Sequence, residues 1–181
     1  MKATQTDLPG VLILEPRVFS DSRGNFYESY NRRTFREVTG LDVEFVQDNE
    51  SLSARNVLRG LHYQIRQPQG KLVRVAVGEI YDVAVDLRRS SPTFGKWTSA
   101  ILSPSARPMI WIPPGFAHGF LALSEQAIVS YKTTDYYAPE HERTLAWNDR
   151  SVDVLWPLEG QPLLSAKDAR GKAFAEAETY A

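Results

Sequence analysis

Lys71-Leu-Val-Arg-Val-Ala-Val-Gly-Glu-Ile-Tyr-Asp-Val-Ala-Val-Asp-Leu87 is the stretch that decides the class of fold. Two valine-rich runs flank Gly78-Glu79, and β-branched residues at this density read as two strands, not a helix. If the dipeptide forms a two-residue hairpin turn, Val77 pairs with Ile80, Val75 with Asp82, Val73 with Ala84 and Lys71 with Asp86. One face then carries Lys71, Asp82 and Asp86 among small apolar residues. That face is either solvated, with weak exposed ion pairs, or an interior that contains a few positioned charges.

Upstream, Val57-Leu58 and Ile65 flank Arg59-Gly-Leu-His-Tyr-Gln64, which reads as another strand with His62 and Gln64 on one face. Gly60 inside it gives up packing, a loss tolerated where a ligand or another backbone comes close. Downstream, strands are expected at Trp97–Leu102, Met109–Ile112, Gly119–Leu123 and Ile128–Thr133, separated by proline, glycine and serine turns. Many short strands without alternating helices indicate an antiparallel sandwich or barrel. Towards the N-terminus, Val11–Leu14 stops at Pro16 like an edge strand, Asp21–Asn25 forms a turn, and Phe26–Tyr30 is extended. Asn31 is a competent N-cap for a helix through Val38, with Gly40 at its end. Glu44–Ser51 looks extended but unusually polar. The tail from Ala166 is expected to be partly helical, with residues 169–181 peripheral to the core.

The length of 181 residues suits one domain spanning 1–181. Basic and acidic residues balance at 21 against 22, so no global field recruits nucleic acid or an anionic membrane. There is no cysteine, hence no disulfide framework and no thiolate chemistry. The N-terminal ten residues lack a charged segment followed by an apolar run, and no stretch approaches the ~18 apolar residues of a membrane span. A soluble, cytoplasmic protein is the expectation.

Metal binding is the first chemistry to weigh, because small β-folds often hold metals on histidines. The chain has His62, His118 and His141. Pro113-Pro-Gly-Phe-Ala-His118 resembles the second motif of the cupin superfamily, but the first motif needs a histidine two residues after His62, and Gln64 stands there. A three-histidine site cannot be assembled, and none of the residues is expected to hold a metal.

Six ordered segments carry a more specific likeness: Arg59–Gln64, Gln69-Gly-Lys-Leu-Val73, Val83-Ala-Val-Asp-Leu-Arg88, Pro113–Phe120, Tyr131-Lys-Thr-Thr-Asp-Tyr-Tyr137 and Leu164-Ser-Ala-Lys-Asp168. Together they resemble the dTDP-4-dehydrorhamnose 3,5-epimerase family from about Val11 to Asp168. The resemblance implies a mostly β, cupin-type jelly-roll barrel with a short N-terminal helix and a short C-terminal helical segment, acting as a homodimer without metal or cofactor. It also implies a small nucleotide-sugar substrate, dTDP-4-dehydro-6-deoxy-D-glucose, inverted at C3 and C5 on the route to dTDP-L-rhamnose. The N-terminal strands, about residues 11–30, are expected to exchange between subunits.

Such a reaction accounts for the residue types. A 4-keto group acidifies both neighbouring C–H bonds, so one base on one face can remove either proton, and the resulting enolate needs a cation or donors at its oxygen. By resemblance His62 is that base, Asp168 orients it, Lys71 stabilises the enolate, and Tyr131 returns the proton from the opposite face. Arg23, Arg59 and Lys167 match cations that contact the substrate. Glu28, Gln47, Asn49, His118 and Glu142 match further substrate contacts, and Tyr137 matches an aromatic suited to stack on thymine. Taken singly, each has a duller reading: Tyr131 as packing, Lys71 and Arg23 as surface, Asp168 as a cap. His141 is expected to be idle. The loop Arg66-Gln67-Pro68 is one residue shorter than in many members, and Ala166 replaces a common acidic residue. Other expectations are a single-site C3 or C5 epimerase, a metal-dependent cupin enzyme, or a sugar-nucleotide binding module.

Overall fold

A computed structural model describes residues 1–105 and 107–181. The chain begins with strands β1 (Lys2–Gln5), β2 (Leu12–Glu15), β3 (Val18–Asp21) and β4 (Gly24–Tyr27), followed by helix α1 (Arg32–Thr39). The longer strands come next: β5 (Gln47–Ala54), β6 (Leu58–Gln64), β7 (Lys71–Val77), β8 (Ile80–Asp86) and β9 (Trp97–Leu102). After them run β10 (Met109–Ile112), β11 (Phe116–Ala122), β12 (Gln126–Thr133) and β13 (Glu142–Thr144). A six-stranded antiparallel sheet in the order β1-β2-β10-β7-β12-β5 faces a five-stranded one in the order β13-β6-β11-β8-β9. The architecture is the expected mostly β jelly roll of cupin type, built as two facing sheets.

The valine-rich stretch does form two strands, but they do not pair with each other. β7 lies between β10 and β12, whereas β8 lies between β11 and β9 in the opposite sheet. Gly78-Glu79 is a corner between layers. Val73 and Val75 thereby meet Ile80 and Ala84 across one core, so each strand buries its apolar face on the other sheet. The corner depends on distant partners: the Glu79 N–H donates to Ser124 Oγ at 2.8 Å, and a Cβ on Gly78 (φ +77°) would sit 1.9 Å from the Gln126 carbonyl oxygen. Those contacts come from the loop before β12 and from its first residue, and are invisible to a local turn rule. The interior reading of the charged face holds, since Asp82 and Asp86 are both fully buried.

Two further expectations need correcting. β1, unforeseen, pairs along β2 from Lys2↔Glu15 to Gln5↔Leu12, so β2 is not an edge strand. Nor is the tail of residues 169–181 peripheral. Ala177 is buried, and Phe174 and Tyr180 pack on the cluster of Leu61, Tyr63, Val85 and Leu87, which forms the outer face of the five-stranded sheet. Main-chain acceptors tie the tail down: Tyr180 Oη donates to Gln64 O at 2.6 Å, and Tyr63 Oη to Glu178 O at 2.7 Å. That sheet is apolar on both faces and needs a cover, which a few scattered apolar residues supply without helical spacing. The expected C-terminal helical segment is two 3-10 turns, Asp168–Arg170 and Phe174–Glu176.

Helix α1 forms as its caps dictate: Asn31 Oδ1 accepts from the Arg33 and Thr34 N–H groups, and Gly40 takes φ +73°. Its buried Phe35 packs edge-on against Trp111, closing part of the outer face of the six-stranded sheet. β3 and β4 form a separate hairpin that pairs with no other strand among the described residues, leaving Phe19 and Phe26 exposed.

Replacing Tyr180 by alanine removes an aromatic contact and a hydrogen bond from the covered sheet. Unfolding in urea is expected to show a loss of about 2 kcal/mol, below the full cost of a core aromatic because Tyr180 is partly exposed. A change within about 0.5 kcal/mol, the usual range for surface positions, would return the tail to the periphery.

Candidate active site

Between the two sheets, where the apolar core stops, opens a cleft of about 360 Å³. Its walls continue the inward faces of strands that form the core deeper in. Lys71 extends the row of Val73 and Val75, and Tyr131 extends that of Val129. β5 explains its own polarity in the same way, because Gln47, Asn49 and Ser51 line the cleft and the alternate residues Asp48, Glu50 and Leu52 are exposed. The opposite wall comes from β6 and β11, which place Arg59, His62 and His118.

Arg59 and His62 both line the cleft although three residues apart, which strict alternation forbids. The register between β6 and β11 shifts: His118 opposes His62, but Phe120 opposes Arg59, so three steps on β6 match two on β11. An extra residue re-aims the side chains beside it. Gly60 sits within this bulge, and a Cβ there would lie 2.6 Å from Gly119 Cα and 2.8 Å from the His118 carbonyl oxygen. The close approach foreseen at Gly60 is therefore to another backbone.

His62 Nε2 lies 2.5 Å from Asp168 Oδ1. The buried carboxylate also accepts from Ser165 Oγ at 2.7 Å and from the Gly60 N–H at 3.4 Å. Burial works to raise Asp168, but the hydrogen bonds from His62 and Ser165 outweigh it and hold the carboxyl below its usual range. For His62 burial wins: it depresses the imidazole below its ordinary value of 6.5 despite the pull of Asp168 in the other direction. A neutral ring that donates a hydrogen bond from its Nε2–H to the carboxylate keeps a free lone pair on Nδ1.

Three cations and a second imidazole–carboxylate pair surround this dyad. Lys71 Nζ donates to the His62 carbonyl at 3.4 Å, and burial lowers its ammonium to about 8, with Asp82 and Glu142 opposing the shift. His118 Nε2 meets Asp82 Oδ2 at 2.8 Å, while Asp82 Oδ1 is buried without a hydrogen-bond partner among the described residues. Arg59 is held by Ser53 Oγ at 3.0 Å and the Leu52 carbonyl at 3.1 Å, so a residue of β6 is bonded to β5 of the other sheet. Tyr131 faces the cleft with its phenol raised, chiefly by burial.

At the rim, Glu142 accepts from Tyr137 Oη at 3.0 Å and Lys167 Nζ at 2.7 Å. Gln47 accepts the Tyr137 N–H at 3.0 Å and donates to Asn49 Oδ1 at 2.8 Å. Of the residues singled out in the sequence, two lie elsewhere. Arg23 is exposed at the tip of the β3–β4 hairpin, paired with Asp21 at 2.6 Å, and Glu28 accepts from Asn31 Nδ2 at 2.9 Å. The supporting residues Ser53, Asp82 and Ser165 had no assigned role, nor did Gln69 and Ser51 in the walls. Ser165 and Gln69 fall inside the motifs already noted, and Asp82 was marked only as a charge on a face left open between solvent and interior.

Comparison with known proteins agrees over nearly the whole chain. The family model described as dTDP-4-dehydrorhamnose 3,5-epimerase matches residues 5–176. The dTDP-4-dehydrorhamnose 3,5-epimerase of Pseudomonas aeruginosa is 61% identical over 180 residues, 99% of each chain. Among solved structures, dTDP-6-deoxy-D-glucose-3,5-epimerase from Legionella pneumophila, in complex with dTDP-4-keto-L-rhamnose, superposes with a TM-score of 0.95 at 47% identity, covering 98% of this chain and 94% of that one. A 3'-monoepimerase from Streptomyces bikiniensis in complex with dTDP-quinovose is more distant, with a TM-score of 0.88 and 32% identity over 94% of this chain and 86% of that one.

Proposed function

The chain belongs to the dTDP-4-dehydrorhamnose 3,5-epimerase family, and on that premise we propose that it inverts C3 and C5 of dTDP-4-dehydro-6-deoxy-D-glucose to give dTDP-4-dehydro-L-rhamnose. The observation that carries the mechanism is the division of labour between the walls: a neutral imidazole with an oriented carboxylate on one sheet, a phenol and an ammonium on the other. His62 removes the proton at Nδ1. Asp168 fixes the ring and stabilises the imidazolium that forms, and Lys71 stabilises the enolate oxygen. Tyr131, kept protonated by burial, returns a proton to the opposite face, so the carbon inverts. Arg59 and Lys167 supply cations for the diphosphate, and Tyr137 stacks on the base at the exposed mouth. Glu142, Gln47, Asn49 and His118 make further substrate contacts. A sugar-nucleotide substrate and a sequence without cysteine support action in the cytoplasm.

The functional unit is a homodimer in which the β3–β4 hairpin reaches the neighbouring cleft. What supports this is a hairpin whose Phe19 and Phe26 are exposed, together with the unpaired outer edge of β5 beside the cleft. β2 is bonded within its own sheet, so of the segment 11–30 only the part after it is free to cross. Arg23 and Glu28 complete the partner's site in this arrangement.

Deuterium uptake from heavy water separates base from acid. His62→Asn abolishes both uptake and inversion, because no enolate forms. Tyr131→Phe keeps the base and Lys71, so uptake with retention persists while inversion falls at least ~100-fold. Normal inversion in Tyr131→Phe would exclude the phenol as the acid.

The pH profile of kcat/KM is expected to be bell-shaped. Activity rises as His62 loses its proton, below the ordinary histidine value, and falls as Lys71 loses its charge near pH 8. Lys71→Met should be slower and lack the limb near pH 8. Finding that limb unmoved would assign it to another group.

For the dimer, subunits carrying Arg23→Ala are mixed with subunits carrying His62→Asn. Each mixed dimer retains one intact site, so activity reappears on exchange. No recovery despite proven exchange would sink the shared site.

A further inference from the structure

Gln64 stands where a metal-binding cupin would have a ligand histidine, and the proposed reaction gives it nothing to do. It is nevertheless buried to 4% exposure, and its amide is fully engaged. Nε2 donates to the Gln67 carbonyl at 2.8 Å and to the Tyr136 carbonyl at 3.2 Å, and Oε1 accepts the Ala138 N–H at 2.9 Å. The last two contacts bracket Tyr137 on both sides.

Tyr137 itself is 52% exposed and cannot be held by packing. Its phenol is tethered to Glu142 and its own N–H to Gln47, but the peptide groups before and after it depend on Gln64. A buried amide that satisfies main-chain groups on either side of an exposed ring sets where that ring points, since losing it would leave buried donors and acceptors unpaired.

We propose that Gln64 is a positioning residue for nucleotide recognition: from the floor beside His62 it clamps Tyr136 and Ala138 and so presents the Tyr137 ring to the base. The inference rests on the reading of Tyr137 as the stacking aromatic. It gives the family-like Tyr63-Gln64 pair a use in place of metal ligation.

The test uses the full chain and dTDP, which has the base and diphosphate but no keto-hexose to react. Calorimetry is run on Gln64→Met, which keeps length and volume, on Tyr137→Ala and on the double variant. Tyr137→Ala is expected to bind dTDP at least ~10-fold more weakly, as loss of one base–aromatic stack implies. Gln64→Met should lose most of the same factor, and the double variant should bind no more weakly than Tyr137→Ala alone. With sugar nucleotide, KM rises in Gln64→Met while kcat stays within about threefold, because the dyad and Lys71 are untouched.

Gln64→Glu provides a second variant should Gln64→Met fold poorly. It keeps an acceptor for Ala138 but sets an anion against two carbonyls, and its dTDP affinity should fall in the same direction. Wild-type affinity in Gln64→Met, or losses that add in the double variant, would overturn the clamp. Unaltered affinity in Tyr137→Ala would instead remove the stacking role, and the inference with it.

Discussion

Two backbones touch where Gly60 crosses Gly119, and the rest of the site depends on that contact. At 2.6 Å from a hypothetical Cβ to the facing Cα there is no room for any side chain. The bulge that accompanies it turns both Arg59 and His62 inward, something a regular strand cannot do. One local constraint thus delivers an imidazole and a guanidinium to the same wall. Asp168 joins them through the Gly60 N–H as well as through the imidazole, so the carboxylate is aligned by the bulge it serves.

The interior tolerates its charges because each has company. Asp86 accepts from Arg88, Ser91 and Thr93, which offset its burial and hold it at about 2. That group is structural, fixing the turn into β9. Near the cleft the same device is left incomplete among the described residues: Lys71 has one long contact to a carbonyl, and one oxygen of Asp82 has none. Unsatisfied capacity of this kind is costly in a core and useful in a site, where an incoming polar ligand can complete it.

Much of this was legible in the sequence, and the failures share a cause. Helix α1 was readable because Asn31 and Gly40 act on their immediate neighbours. Strands β9 and β10 were readable to the residue from pattern and punctuation. The separation of β7 and β8 into opposite sheets was not, since Ser124 and Gln126 decide the corner from more than 40 residues away. For the tail, burial depends on an apolar outer face that only the assembled sheet presents. The site motifs named the groups that line the cleft, but Ser53 and Ser165 act on other side chains and carry no chemical signature of their own.

Arg59 also has a mechanical role. Rooted in β6, its guanidinium is bonded to Ser53 and Leu52 on β5, so it ties the two sheets together at the mouth of the cleft. Wall spacing is thereby set by the protein's own contacts. A molecule that enters need not spend its affinity on drawing the walls together, and little conformational entropy is lost beyond that of the ligand and the rim. A slot preorganised in this way discriminates between sugars of different stereochemistry by fit.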